Sequence, residues 1–148
     1  MSVSLYGSGQ TILQVVQGNL TTSVSTSSSS FVTTGLSASI TPLSTTSKIL
    51  VMVSSGADNQ ASNGQLTVNL YRGATGLSGN GGFGVLYSGT ARVQGFVSVV
   101  YLDSPSTTSS TTYTLYFAST NGGTVTFNNP NASTAQTGLI TLLEVSGS

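Results

Sequence analysis

The chain has 148 residues, enough for one domain with a buried core, and carries three Lys/Arg against three Asp/Glu for a net charge of zero. Charged residues make up 4% of it, against roughly 25% in an ordinary soluble domain, and neither histidine nor cysteine occurs. That inventory excludes disulfides, thiolate nucleophiles, imidazole bases and soft-metal sites, and no basic run is present to neutralise the phosphates of a nucleic acid.

Ser and Thr supply about a third of the chain. Disordered chains combine low hydrophobicity with high net charge, whereas here hydrophobic residues reach 37% at zero net charge. The apolar residues are largely β-branched and fall in short runs between Gly/Ser/Thr/Asn turns. No run approaches the ~20 residues of a membrane helix, so no membrane partner is expected.

In chain order, Met1–Gln10 reads as an extended N-terminal arm, without the charged and apolar regions of a signal peptide. Residues 11–148 read as a single β domain. Its predicted strands are Thr11–Gln17, Asn19–Ser25, Phe31–Thr33, Leu36–Thr41, Lys48–Ser54, Gln65–Arg72, Phe83–Tyr87, Val93–Leu102, Thr112–Ala118, Thr124–Asn128 and Gly138–Val145. Short runs spaced by turn clusters predict an all-β antiparallel sandwich, jelly-roll-like, with essentially no α-helix. Ser25–Ser30 and Ser104–Thr112 read as exposed loops, and Gly73–Gly84, with six glycines, as the most mobile one.

Two kinds of strand are separable. Leu66, Val68 and Leu70 alternate with polar residues and Tyr71, and Val125 and Phe127 with polar residues, giving one core face and one wet face. Three others are apolar on both faces. Ile49, Val51 and Val53 oppose Leu50 and Met52; Val97, Val99 and Tyr101 oppose Phe96, Val100 and Leu102; Leu139, Leu143 and Val145 oppose Ile140 and Leu142. A sandwich buries only inner faces, so an outer apolar set needs a cover. We expect a subunit interface in a homo-oligomer, formed by Leu50, Met52, Phe96, Val100, Leu102, Ile140 and Leu142.

No constellation for catalysis stands out, and a non-enzyme is expected, with no cofactor and no metal. Asp103 precedes Ser-Pro and reads as a turn start bonding the next amides. Asp58 falls in the polar segment Gly56–Asn63, read as a turn, and Glu144 is expected to face solvent or pair with Arg72, Arg92 or Lys48. A serine nucleophile would need Lys48 as its base, and no Ser-x-x-Lys motif exists. Tyr71, Tyr87, Tyr101, Tyr113 and Tyr116 together with loop asparagines could present a sugar-binding surface, although packing at a core edge is the default for tyrosines in strands.

An ordered set of segments carries a resemblance: Ile12–Gln17, Ser30–Val32, Gly35–Pro42, Thr46–Val53, Leu70–Gly73, Leu102–Pro105, Thr112–Ala118 and Leu143–Val145. Spanning about Gln10 to Val145, it resembles a jelly-roll-like β-sandwich module of virion proteins of tailed bacteriophages, especially cyanophages. The resemblance implies a virion location and a homotrimer; it implies no ligand. Fibres of that family usually carry an attachment domain and shaft before the module, whereas here the module fills nearly the whole chain. The departure favours a capsid decoration (cement) protein on the outer surface of the head, stabilising capsomer junctions. Its partner would be the major capsid protein, with Val3, Leu5 and Tyr6 of the arm seated in a groove or adding a strand to a neighbour. The alternative is a tail-fibre tip or tail-associated receptor-binding protein recognising host-surface carbohydrate.

Overall fold

A computed structural model of the chain describes residues 11–60, 62–128 and 136–147. The arm residues Val3, Leu5 and Tyr6 lie outside the described residues. Eleven strands are present among them: β1 (Ile12–Leu20), β2 (Val24–Thr26), β3 (Val32–Ile40), β4 (Lys48–Asn59), β5 (Gly64–Arg72), β6 (Thr75–Gly76), β7 (Gly84–Ser88), β8 (Val93–Asp103), β9 (Thr111–Ser119), β10 (Val125–Phe127) and β11 (Gly138–Val145). Among the described residues the helical content is two single 3-10 turns, at Gly79–Gly81 and Thr120–Gly122.

All pairings are antiparallel. The first sheet runs β1-β11-β4-β8, with β10 and β2 continuing it beside the far end of β4. The second runs β3-β9-β5, and β7 and β6 share the remaining side of β5. Setting aside the short strands β2, β6 and β10, the eight principal strands lie in chain order as first-eighth-third-sixth and second-seventh-fourth-fifth. That is the jelly-roll arrangement.

The core follows from the period of two. Leu36, Ala38 and Ile40 of β3, Leu66, Val68 and Leu70 of β5, and Tyr113, Leu115 and Phe117 of β9 point inward from the second sheet. Facing them are Ile49, Val51 and Val53 of β4, Val97 and Val99 of β8, and Ile140 and Leu142 of β11. Phe117 and Phe127 meet between the sheets with centroids 6.2 Å apart.

Apart from one-residue shifts at other strand ends and the two-residue β6 inside the expected loop Gly73–Gly84, the structure departs from the sequence reading in three places, each for a local reason. The segments predicted as Phe31–Thr33 and Leu36–Thr41 form one strand, because Gly35 takes φ +80° and absorbs a register shift against β9 between Thr33 and Ser37. Asn19–Ser25 is instead divided at Thr21–Ser23 between β1 and β2. Strand β4 continues through Ser55–Asn59, so Asp58 lies in a strand and not in a turn. That polar stretch is sustained by ladders on both sides, to β8 and β10, and its side chains find partners: Asn59 donates to the carbonyls of Gly64 and Leu86, and Ser55 to Asn128 Oδ1.

Strands β1 and β3, one from each sheet, come close together at Gly18. A Cβ at Gly18 would lie 2.0 Å from the Ser37 carbonyl oxygen, so no larger residue fits there without moving β1.

Candidate functional site

The outer faces of the two sheets differ in chemistry. On the first sheet the register aligns Val15, Leu143, Leu50 and Leu102 in one row across four strands. The next row is Gln17, Thr141, Met52 and Val100, and Phe96 stands beyond it opposite Gly56. Phe96 is 80% exposed, Val100 66% and Leu102 53%. With Val15, Met52 and Leu139 they leave on the order of 600 Å² of apolar side chain bare, at the upper end for a monomer.

Leu50, Met52, Phe96, Val100 and Leu102 therefore lie on this outer face. Ile140 and Leu142 do not: both are fully buried in the sandwich core, and Leu139 and Leu143 take the outer positions of β11. Alternation in a strand apolar on both faces leaves its phase open, and pairing with β1 and β4 decides it.

The same face ends at an open edge. Strand β8 pairs with β4 over its whole length, Val93 to Asp103, and among the described residues no strand pairs with its other side. Long exposed apolar edges are templates for association, and natural proteins usually blunt them with charge or proline. Here Phe96, Ser98, Val100 and Leu102 point outward along it.

The carboxylates all sit elsewhere than their sequence contexts suggest. Asp103, expected to start a turn, ends β8 and points between the sheets. It accepts two bonds from Arg72 Nη1 (2.9 and 2.8 Å) and one from the Tyr113 hydroxyl at 2.7 Å. Burial first, then donation to Asp103, raises the Tyr113 pKa above its ordinary value. Asp58 is buried and accepts from Arg92 Nε at 2.8 and 2.9 Å, from Arg92 Nη2 at 2.5 Å and from Gln60 at 3.0 Å. Its hydrogen bond is the main reason the Arg92 pKa is raised.

Glu144 neither faces solvent nor pairs with a cation. It is fully buried and accepts from Gln14 Nε2 at 2.6 Å and from the Leu43 amide at 2.8 Å. Burial alone would raise its pKa. The Ser47 hydroxyl alongside (outside strict hydrogen-bond geometry), the Gln14 amide and the backbone of Leu43 and Ser44 outweigh that, and hold it below the ordinary carboxylate value. All three carboxylates thus serve to fasten strands and loops.

The outer face of the second sheet is polar toward β3, where Thr33, Ser37, Ser39 and Thr112 are exposed. Toward β5 it carries a concavity of about 540 Å³, lined by Ser29, Ser30, Phe31, Asn69, Tyr71, Ala74, Gly76 and Gly79. Tyr71 stacks on Tyr116 at 4.1 Å between centroids and meets Phe31 edge-on at 6.4 Å. Of the five strand tyrosines, only Tyr71 and Tyr116 come together on this face. Tyr113 is in the core, Tyr101 packs against Phe83, and Tyr87 is exposed on β7. Phe31, read as the start of a strand, was not legible as their neighbour, since nothing in its local sequence points toward β5.

No known protein family matches this chain, and no curated protein sequence matches it either.

Proposed function

We propose that the chain is a bacteriophage virion structural protein that assembles through the outer face of its first sheet, most simply as a decoration protein on the capsid exterior. The observation that carries this reading is the uncharged apolar row from Val15 to Leu102, continued by Met52, Val100 and Phe96 and bordered by the open β8 edge. Such a surface stabilises an assembly by removing apolar area from water, at about 25 cal/mol per Å². Its β8 edge adds backbone pairing to a neighbouring strand. The likeness of the ordered segments to phage virion modules supports the location, and the jelly-roll strand order fits it.

Two measurements test the reading. Light scattering at micromolar concentration should return a trimer mass, and a monomer would sink the assembly surface. Quantitative mass spectrometry of virions carrying the chain should give a copy number comparable with that of the major capsid protein. A copy number matching the few tail fibres would move the protein to the tail.

A further inference from the structure

We propose that the concavity on the outer face of the second sheet binds a neutral oligosaccharide, with Phe31 and Tyr71 as its aromatic walls. The inference does not depend on where in a virion the chain sits, or on the apolar face of the other sheet.

Shape comes first. The cleft of about 540 Å³ adjoins a second of about 250 Å³, lined by Ser29, Phe31, Gln65, Thr67, Gly81, Ala118 and Thr120. Ser29 and Phe31 line both, so the two clefts meet at these residues. The larger volume lies within the range of small-ligand sites, roughly 300–1,000 Å³. Two adjoining clefts that share an aromatic side chain suit a chain of rings better than a single compact ligand.

The larger cleft is also held in form. Asn69, buried at its floor, accepts from the Ser78 hydroxyl at 2.6 Å and donates to the Gly79 carbonyl at 3.1 Å, which fixes the glycine segment over β5. At Gly76 a Cβ would lie 3.1 Å from Asn69 Nδ2 and 3.4 Å from Tyr71 Cζ. The absent side chain there leaves room beside the Tyr71 ring above the buried amide.

Chemistry then narrows the ligand. None of Lys48, Arg72, Arg92, Asp58, Asp103 and Glu144 lines either cleft, and Arg72, next to Tyr71 in sequence, is turned to Asp103. Phosphates, uronic acids and charged peptides therefore find no counter-charge. A purely apolar ligand would be set against hydroxyls, an amide and glycine backbone, whose desolvation it could not compensate. A neutral saccharide matches both sets of groups. Its C–H faces pack on the Phe31 and Tyr71 rings, and its hydroxyls exchange hydrogen bonds with the exposed Ser29 and Ser30 and with backbone groups along the glycine segment.

The test uses the whole chain on an array of neutral and acidic oligosaccharides together with uncharged peptides, followed by titration calorimetry of the best neutral glycan. Binding to neutral oligosaccharides with a Kd at or below about 1 mM is expected. Phe31→Ala should weaken it about tenfold or more. Ser29→Trp, at an exposed rim position common to both clefts, should abolish it while leaving the thermal midpoint unchanged. Three results would overturn the proposal: no neutral glycan bound at that concentration, a preference for acidic glycans or peptides, or binding undiminished in both variants.

Discussion

The Tyr113 hydroxyl donates to the Asp103 carboxylate at 2.7 Å, and the two residues belong to different sheets, Tyr113 to β9 and Asp103 to β8. Arg72 of β5 grips the same carboxylate from Tyr113's side of the sandwich. An edge strand with one neighbour is thereby clamped to the opposite sheet by a charge-assisted network. Tyr113→Phe should cost about 1–3 kcal/mol, because it strips a donor from a buried acceptor. Asp103→Ala should cost about 3 kcal/mol or more, since Arg72 and Tyr113 then both lose their partner. Urea unfolding of the two variants checks the order, and equal stabilities would show the network to be idle.

Glu144 sets the acid limit. Its folded pKa lies below the ordinary 4.5, so its contribution to stability is fully present above that value and is lost as pH falls through the folded pKa. Thermal stability should be flat from about pH 9 down to about pH 5 and decline below it. In Glu144→Gln the acid decline should shrink and stability at neutral pH should fall. An unchanged acid limb in that variant would place the titrating group elsewhere.

Tyr113 sets the alkaline limit. Its pKa is raised above the ordinary 10.0 by burial and by the bond to Asp103. The folded form therefore keeps a proton that the unfolded chain releases, and stability should fall as pH rises beyond about 10. Tyr113→Phe should flatten this limb, measured by thermal melts followed by circular dichroism.

The proposed assembly face should respond to charge and resist salt. Phe96→Asp and Val100→Asp alter exposed positions, so each variant should stay folded while light scattering shows monomers. Salt at about 1 M should leave the proposed oligomer intact, because screening acts on charges and this face presents none between Lys48 and the Asp58–Arg92 pair. Dissociation by salt alone would contradict an apolar interface.

Gly18 should tolerate no side chain. Its Cβ would fall 2.0 Å from the Ser37 carbonyl oxygen where β1 crosses β3. Gly18→Ala should lower stability by about 1–3 kcal/mol through displacement of the strand. A variant as stable as the wild type would show that β1 shifts freely.

The all-β class and most strand positions were legible in the sequence because pleat and turn are local properties. Leu66, Val68 and Leu70 alternate with polar residues and Tyr71, and no partner is needed to see it. In β4 and β8, apolar on both faces, alternation separated two opposing sets, and the fold turned Leu50, Met52, Phe96, Val100 and Leu102 outward. Tertiary structure decided the rest. It turned Ile140 and Leu142 inward, drew Asp58, Asp103 and Glu144 under cover, and set Phe31 edge-on to Tyr71. The physical reason is range: alternation is fixed within a few residues, whereas the Gln14–Glu144 bond joins positions 130 residues apart, and only the closed sandwich brings such pairs together.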